Sequence, residues 1–505
     1  MRLPHVVVVG GGIAGLTAAW FLVRGGARVT LLEGAPRIGG KLQVSEIAGI
    51  PVDEGAESLL ARRPEGLELL RELGVSGERV HPAATSSAVL SRGALRALPA
   101  GQMMGVPTDL RALAASQVLP AAGTARAALD LVLPKTPLGS DVSVAGYVGA
   151  RLGREVVDRL VEPLLGGVYA GRTEELSFEA TMANVAAAAR THRSLITAAR
   201  GLRGAAPKDA GPVFTSLPDG MGTLPLLLAD SMADSGADSG ADSGADSAGG
   251  GCTIRTQAMV REMARRPDGG WRLTLGPARE PEQLDADAVV VAVPAQPAAR
   301  LLAAEVPAAS RELARIEYAS MAIITLAYPA SAFPRRPTVS GYLVPAVEGR
   351  QVKAVTFSSV KWPQLTERAP DLIVVRCSIG RFGEEHTLQR SDEELRAAAI
   401  AELAEVCGVR GLPVETRVTR WGGGLPQYTV GHADRVARIR AAVAAVPGLA
   451  VAGAAYDGLG VPACIATARA AAGRVLEQLE SRGGSDHDNG QRRQAGDTGR
   501  QGARP

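Results

Sequence analysis

Cysteine and histidine are scarce in this chain. The four cysteines, Cys252, Cys377, Cys407 and Cys464, lie far apart with no CxxC among them, and the six histidines do not cluster. This argues against a disulfide framework and against a structural zinc or other metal site, and it suits a reducing compartment. Aromatic residues make up only 3%; with heavy use of Ala, Gly and Arg, this reads as genomic base bias more than physics. No apolar run reaches the roughly 18 residues that a membrane-spanning helix needs. Charge of one sign is lacking too: 55 basic residues stand against 52 acidic ones, for a net charge of +3. Nothing here argues for nucleic acid or an acidic partner. Met1-Arg2-Leu3-Pro4-His5 is too short for a signal peptide, so a cytoplasmic location is expected, with peripheral membrane contact left open. No Ser/His/Asp set and no carboxylate pair has the spacing of general acid–base machinery, so no catalytic base is named.

What is present is bulk and a distinctive N-terminal unit. The chain of 505 residues, 46% of them hydrophobic, exceeds one compact core and implies two or three domains. Val6-Val7-Val8-Val9 is a β-branched run of the kind buried on both faces of a parallel sheet. It leads into Gly10-Gly11-Gly12-Ile13-Ala14-Gly15, which matches G-x-G-x-x-G. A helix follows, with Leu16, Ala19, Trp20 and Val23 on one face, and stops at Gly25-Gly26. A second strand, 27–32, then delivers Glu33. In this arrangement Gly10 permits the tight turn, Gly12 lets backbone approach a pyrophosphate, and Gly15 lets helix and strand pack closely. The helix N-terminus offers unpaired N–H groups to that pyrophosphate. Glu33 is placed for a ribose hydroxyl, and its charge disfavours NADP. Strand, fingerprint, helix, strand and acid in register point to a bound adenine dinucleotide.

The rest of the chain reads as an interrupted α/β framework. The expected fold class is α/β: a Rossmann-like dinucleotide domain, discontinuous in sequence, with an α+β substrate domain and a helical insertion. Its expected parts are 1–85, 211–300 and 416–480. Residues 86–210, rich in proline and short helical patterns without alternating strands, form the helical insertion. Within it Ser143 is expected to cap a helix over 144–152. Residues 301–415 mix alternating strands (322–328, 372–379) with a helix at 392–406 and form the substrate domain. Ala-Asp-Ser-Gly recurs across 231–251 and reads as a flexible surface loop. Residues 481–505 carry almost nothing apolar and are expected to be a disordered tail.

Several motifs lie outside the dinucleotide unit. They are Glu162-Pro163-Leu164-Leu165-Gly166-Gly167-Val168-Tyr169-Ala170-Gly171, Leu176-Ser177-Phe178-Glu179-Ala180-Thr181, Pro426-Gln427-Tyr428, and Tyr456 through Ile465. At these residues the chain resembles the oxygen-dependent protoporphyrinogen and coproporphyrinogen III oxidases of haem synthesis, within the amine oxidase flavoprotein superfamily. The resemblance covers nearly the whole chain, and the branch from Gram-positive bacteria is nearest. It implies FAD and an O₂-using, six-electron oxidation of coproporphyrinogen III. It also implies a site. Gly10, Gly11, Gly12, Ile13, Ala14 and Gly15 would hold the pyrophosphate, with Glu33 and Gly34 at the ribose and Val260 near the adenine. Arg37, Gly40, Lys41, Gly55, Ala56, Glu57 and Ser58 would border the flavin. Trp421, Gly453, Leu459, Gly460 and Val461 would complete its pocket. Arg62 and Arg63 are candidates for substrate propionates, since guanidinium forks match carboxylates. His432, four residues after Tyr428, reads as structural. The alternatives are protoporphyrinogen IX oxidation, a sister amine oxidase or desaturase, an NAD-dependent dehydrogenase, and a non-catalytic flavin or porphyrin carrier. Transient contact with a chelatase is an expectation that no motif carries.

Overall fold

The computed structural model describes residues 3–205, 211–234 and 251–497. Most of the Ala-Asp-Ser-Gly repeat, residues 235–250, and residues 498–505 lie outside them.

The opening strand, His5–Val9, is central to a five-stranded parallel sheet. Its order is Leu449–Val451, Ala288–Val291, His5–Val9, Arg28–Leu32 and Cys252–Arg255. The valine run explains its position, because both faces are covered. Val6 and Val8 face a core built with the helices Ile13–Arg24 and Val461–Asp497. Val7 and Val9 face a second core beneath a three-stranded sheet, Val260–Arg265, Trp271–Leu275 and Glu282–Ala286. Strands from three distant stretches of sequence thus build one nucleotide-binding layer.

The second large sheet has seven strands. Its order is Glu415–Pro426, Tyr318–Pro329, Leu372–Ile379, Val352–Phe357, Gly341–Leu343, Ala88–Ser91 and Ala94–Ala97. Two expected boundaries move as a result. The segment 86–210 is not wholly helical, since its first strands, Ala88–Ser91 and Ala94–Ala97, belong to this sheet. They are joined by Arg92 and Gly93, both at positive φ (53° and 73°), the turn that tight hairpins favour. Likewise Glu415–Pro426 forms the edge of this sheet, so the nucleotide layer resumes after 426 rather than at 416.

One face of the sheet packs on the capped helix Asp392–Cys407. The residues that alternate with that face, such as Met321 and Ile323 on the long strand, turn towards the nucleotide layer. The helix Val144–Leu152 begins as expected at Ser143, whose hydroxyl accepts the Gly146 N–H at 3.1 Å. The final helix differs from expectation. It runs to Asp497, past the boundary set at 480, and no proline interrupts the chain before Pro505. No helix among the described residues is long and apolar enough to cross a membrane.

Candidate functional site

The two layers face one another across a cavity of ≈ 510 Å³. It begins at the C-terminal ends of the parallel strands, where ligands of such sheets bind. Gly10 takes φ +109°, and a Cβ there would lie 2.6 Å from the Ala292 carbonyl oxygen. A Cβ on Gly15 would lie 1.8 Å from the Gly10 carbonyl oxygen, so the helix can rest on the turn only with glycine there. At Gly12 the space is open. No side chain caps the helix Ile13–Arg24, and its first bond back to the cap runs from Leu16 N–H to Gly12 at 3.0 Å. The amides of its first turn therefore remain for an external anion. A pyrophosphate fits this cradle: an open glycine, uncapped N–H groups and a positive helix end.

Glu33 lines the cavity but does more than await a ribose. One carboxylate oxygen accepts the Gly11 N–H and the other the Ala35 N–H, both at 2.7 Å. Glu33 thus ties the fingerprint loop to the end of the second strand, and Gly11 is not free for phosphate. The second glycine turn stacks on the first: Gly39 N–H donates to the Gly11 carbonyl at 2.8 Å. Arg37 pins this turn, donating to the carbonyls of Ile38 and Gly40, and does not line the cavity. Lys41 does line it. Burial pulls its ammonium below the usual lysine range, opposed by Cys464, and no acid pairs with it among the described residues.

Of the expected residues, Gly10, Gly12, Ile13, Ala14, Glu33, Gly40, Lys41, Gly55, Ala56, Trp421, Gly453, Leu459 and Val461 meet in this cavity. Gly11, Gly15, Gly34, Arg37, Glu57, Ser58, Val260 and Gly460 do not line it. Gly34 packs on Met259, where a Cβ would meet the methionine methyl at 2.7 Å. Val260 is buried in the core below, in a segment tied to the ribose end by the Ala258 N–H to Glu33 carbonyl bond of 2.8 Å. Glu57 points away, into an ion pair with Lys361 and Arg376. Trp421 is oriented by its indole N–H, which donates to the Glu54 carbonyl at 3.0 Å. Val461 opens a second helix aimed at the cavity.

The turn preceding that helix is anchored by the Pro-Gln-Tyr segment. The Tyr428 hydroxyl donates to the Ala454 carbonyl at 2.7 Å, and the His432 Nε2 bonds the Tyr456 carbonyl at 3.0 Å. The two rings stack at 3.8 Å. Burial pushes His432 down to about 4, so the ring is neutral and structural.

Arg62 and Arg63 are exposed and stand outside the cavity, at the start of the helix Pro64–Glu72. Arg63 pairs with Glu65 at 2.6 Å. This helix nevertheless abuts the cofactor-facing turn, since a Cβ on Gly66 would lie 3.4 Å from Pro462, next to Val461. The far wall is made by Gly167 and Val168 with Met321, Ile323, Gly424 and Leu425 from the seven-stranded sheet, and of these Met321 and Ile323 were missed in the sequence. For Met321 and Ile323 the signal was there, as alternation along the long strand.

Residues 13–476 match the family model of flavin containing amine oxidoreductases. A coproporphyrinogen III oxidase of Mycobacterium tuberculosis is 38% identical over 480 residues, 94% of this chain and 98% of that protein. One from Bacillus subtilis is 31% identical over 492 residues, 94% of this chain and 99% of the other. The crystal structure of a putative protoporphyrinogen oxidase from Exiguobacterium sp. 255-15 superposes with a TM-score of 0.80 at 31% identity, covering 95% of this chain and 100% of that one.

Proposed function

Because the chain belongs to the flavin-containing amine oxidoreductases, and within them to the coproporphyrinogen III oxidases, we propose that it oxidises coproporphyrinogen III to coproporphyrin III with FAD and O₂. The observation that carries this reading is the near-full-length likeness to the Mycobacterium and Bacillus enzymes, joined to a cavity that runs from a phosphate cradle to an apolar wall. FAD, when bound, supplies the two-electron acceptor that O₂ regenerates. Three rounds each remove two electrons and two protons from the macrocycle, and three O₂ become three H₂O₂.

The chain's own residues bind, orient and exclude water. First-turn amides of Ile13 and Ala14 face the pyrophosphate. Lys41 meets an anionic part of the cofactor. Val168, Met321, Ile323 and Leu425 give the reduced tetrapyrrole, puckered at its saturated bridging carbons, an apolar surface and keep water from it. Arg62 and Arg63, beside the helix that abuts Pro462, are the proposed propionate contacts at the rim. Arg63 would exchange Glu65 for a substrate carboxylate, at little cost because the pair is exposed. The free-base product must next take up a metal, so transient contact with a chelatase belongs to the same proposal.

The test supplies coproporphyrinogen III and protoporphyrinogen IX separately and follows porphyrin fluorescence with peroxide release. The reading expects faster turnover of the former. Preference for protoporphyrinogen IX would transfer the chain to the activity named for the Exiguobacterium protein. Turnover of neither would end the proposal.

A further inference from the structure

The loop Val52-Asp53-Glu54-Gly55-Ala56-Glu57 carries three carboxylates beside the flavin end of the cavity, and all three are engaged behind it. Asp53 accepts the Met221 and Gly222 N–H groups at 3.0 and 2.9 Å. Glu54 accepts the Thr419 hydroxyl at 2.9 Å and is bonded by Ser45 and Arg417. Glu57 is held by Lys361 and Arg376. Burial alone would push the Glu57 carboxyl up, but the two cations outweigh it and hold it at about 2.

Arg376 has a second grip. It is buried in the middle of the strand Leu372–Ile379, in the substrate-side sheet. Its Nη1 donates to Glu57 Oε2 at 2.6 Å, and its Nη2 donates to the Gly55 carbonyl oxygen at 2.7 Å. Gly55 and Ala56 themselves form cavity wall. Gly55 is wedged so tightly that a Cβ would lie 1.9 Å from the Lys41 carbonyl oxygen and 3.4 Å from the Trp421 ring. In a planar trans peptide the carbonyl of Gly55 and the N–H of Ala56 point in opposite directions. With the carbonyl drawn back to Arg376, the Ala56 N–H is turned the other way. It has no acceptor among the described residues. A backbone donor in a cavity wall without a partner calls for one from the ligand.

We propose that Arg376 is a positioning residue: by gripping the Gly55 carbonyl and Glu57 together, it turns the Gly55–Ala56 peptide so that the Ala56 N–H meets an acceptor atom of the bound flavin. The inference rests on the cofactor occupying this cavity. It assigns Glu57, a cofactor contact in the sequence reading, to the support of that peptide.

Two variants separate this role from mere structural support. Arg376→Met and Lys361→Met each remove one cation from Glu57, but only Arg376→Met releases the Gly55 carbonyl. Each full-length protein is stripped of FAD and titrated with it, following flavin fluorescence and the visible band shape, and each is unfolded in urea. The expected result is an FAD Kd raised about tenfold in Arg376→Met, the worth of one directed hydrogen bond, with an altered flavin band. Lys361→Met is expected to stay within about twofold of wild type. Should Arg376→Met fail to fold, Arg376→Lys keeps the charge but cannot bridge both partners, and the same loss of affinity is expected in weaker form. Equal effects of Arg376→Met and Lys361→Met, or wild-type FAD affinity in both Arg376 variants, would overturn the proposal. Wild-type protein that takes up no FAD would overturn it together with the reading of the cavity, a distinct result.

Discussion

Replacing Lys41 with methionine should move the empty and the loaded protein in opposite directions. The ammonium lines the cavity, largely withdrawn from water, and no carboxylate pairs with it. An unpaired cation in that position costs stability, and an apolar side chain of similar length removes the cost, a gain of roughly 1 kcal/mol for the FAD-free protein. The loaded protein loses a charge-assisted contact to an anionic part of the cofactor, worth about 1.5–3 kcal/mol. The FAD Kd should therefore rise about 10- to 100-fold. The pH dependence carries the same signature. A lysine whose folded-state pKa is lowered binds fewer protons folded than unfolded, so stability of the FAD-free protein rises with pH between the lowered value and 10.5. Lys41→Met should abolish that rise. The assay is urea unfolding of both forms across pH, with FAD titration by fluorescence. A less stable FAD-free variant, or an unchanged Kd, would refute the argument that the cavity keeps its cation for the ligand.

Three further outcomes follow from the geometry. Gly15→Ala places a methyl 1.8 Å from the Gly10 carbonyl oxygen, so it should cost at least about 1–3 kcal/mol in urea unfolding and yield protein without flavin. Asp53, pushed up to about 7 by burial against the pull of Met221 and Gly222, binds a proton in the folded state between pH 3.8 and about 7 when the unfolded chain does not. Its contribution is therefore lost as pH rises through that window, by up to about 1.4 kcal/mol per unit, and Asp53→Asn should flatten the decline in a urea series. Arg63→Ala should raise the KM for coproporphyrinogen III about three- to fivefold, the scale of an exposed ion pair, with flavin content unchanged; loss of flavin would instead assign the arginine to the cofactor or the fold.

The half of the site that lies close in sequence was legible before the fold was seen. Gly10, Gly12, Gly15 and Glu33 act within one strand–turn–helix–strand unit, where local spacing determines geometry. Trp421, Leu459 and Val461 lie far off in sequence, and their approach to Gly55 and Lys41 depends on two sheets meeting. That Gly167, Val168, Met321 and Ile323 share one cavity wall depends on the same meeting of sheets. The ion pair of Glu57 could not be read from local spacing because its partners stand far downstream, Lys361 on the helix Ser358–Lys361 and Arg376 on the strand Leu372–Ile379. The hold of Arg37 on its own turn was equally hidden, since a flexible cation beside glycines can bind either a ligand or the turn itself. The strands Ala88–Ser91 and Ala94–Ala97 escaped notice because each has only four residues and the hairpin joins its sheet through Gly341–Leu343, far downstream. The helix past residue 480 shows the converse: polar composition predicts exposure, but by itself it does not break a helix.

The most direct test mixes the FAD-loaded protein anaerobically with coproporphyrinogen III and records the flavin and porphyrin bands together. The account predicts bleaching of the flavin as one FAD takes two of the six electrons, with the flavin colour, H₂O₂ and the porphyrin bands appearing once O₂ is admitted and the remaining rounds run. A flavin band that coproporphyrinogen III leaves unchanged, or one bleached by amines instead, would contradict it.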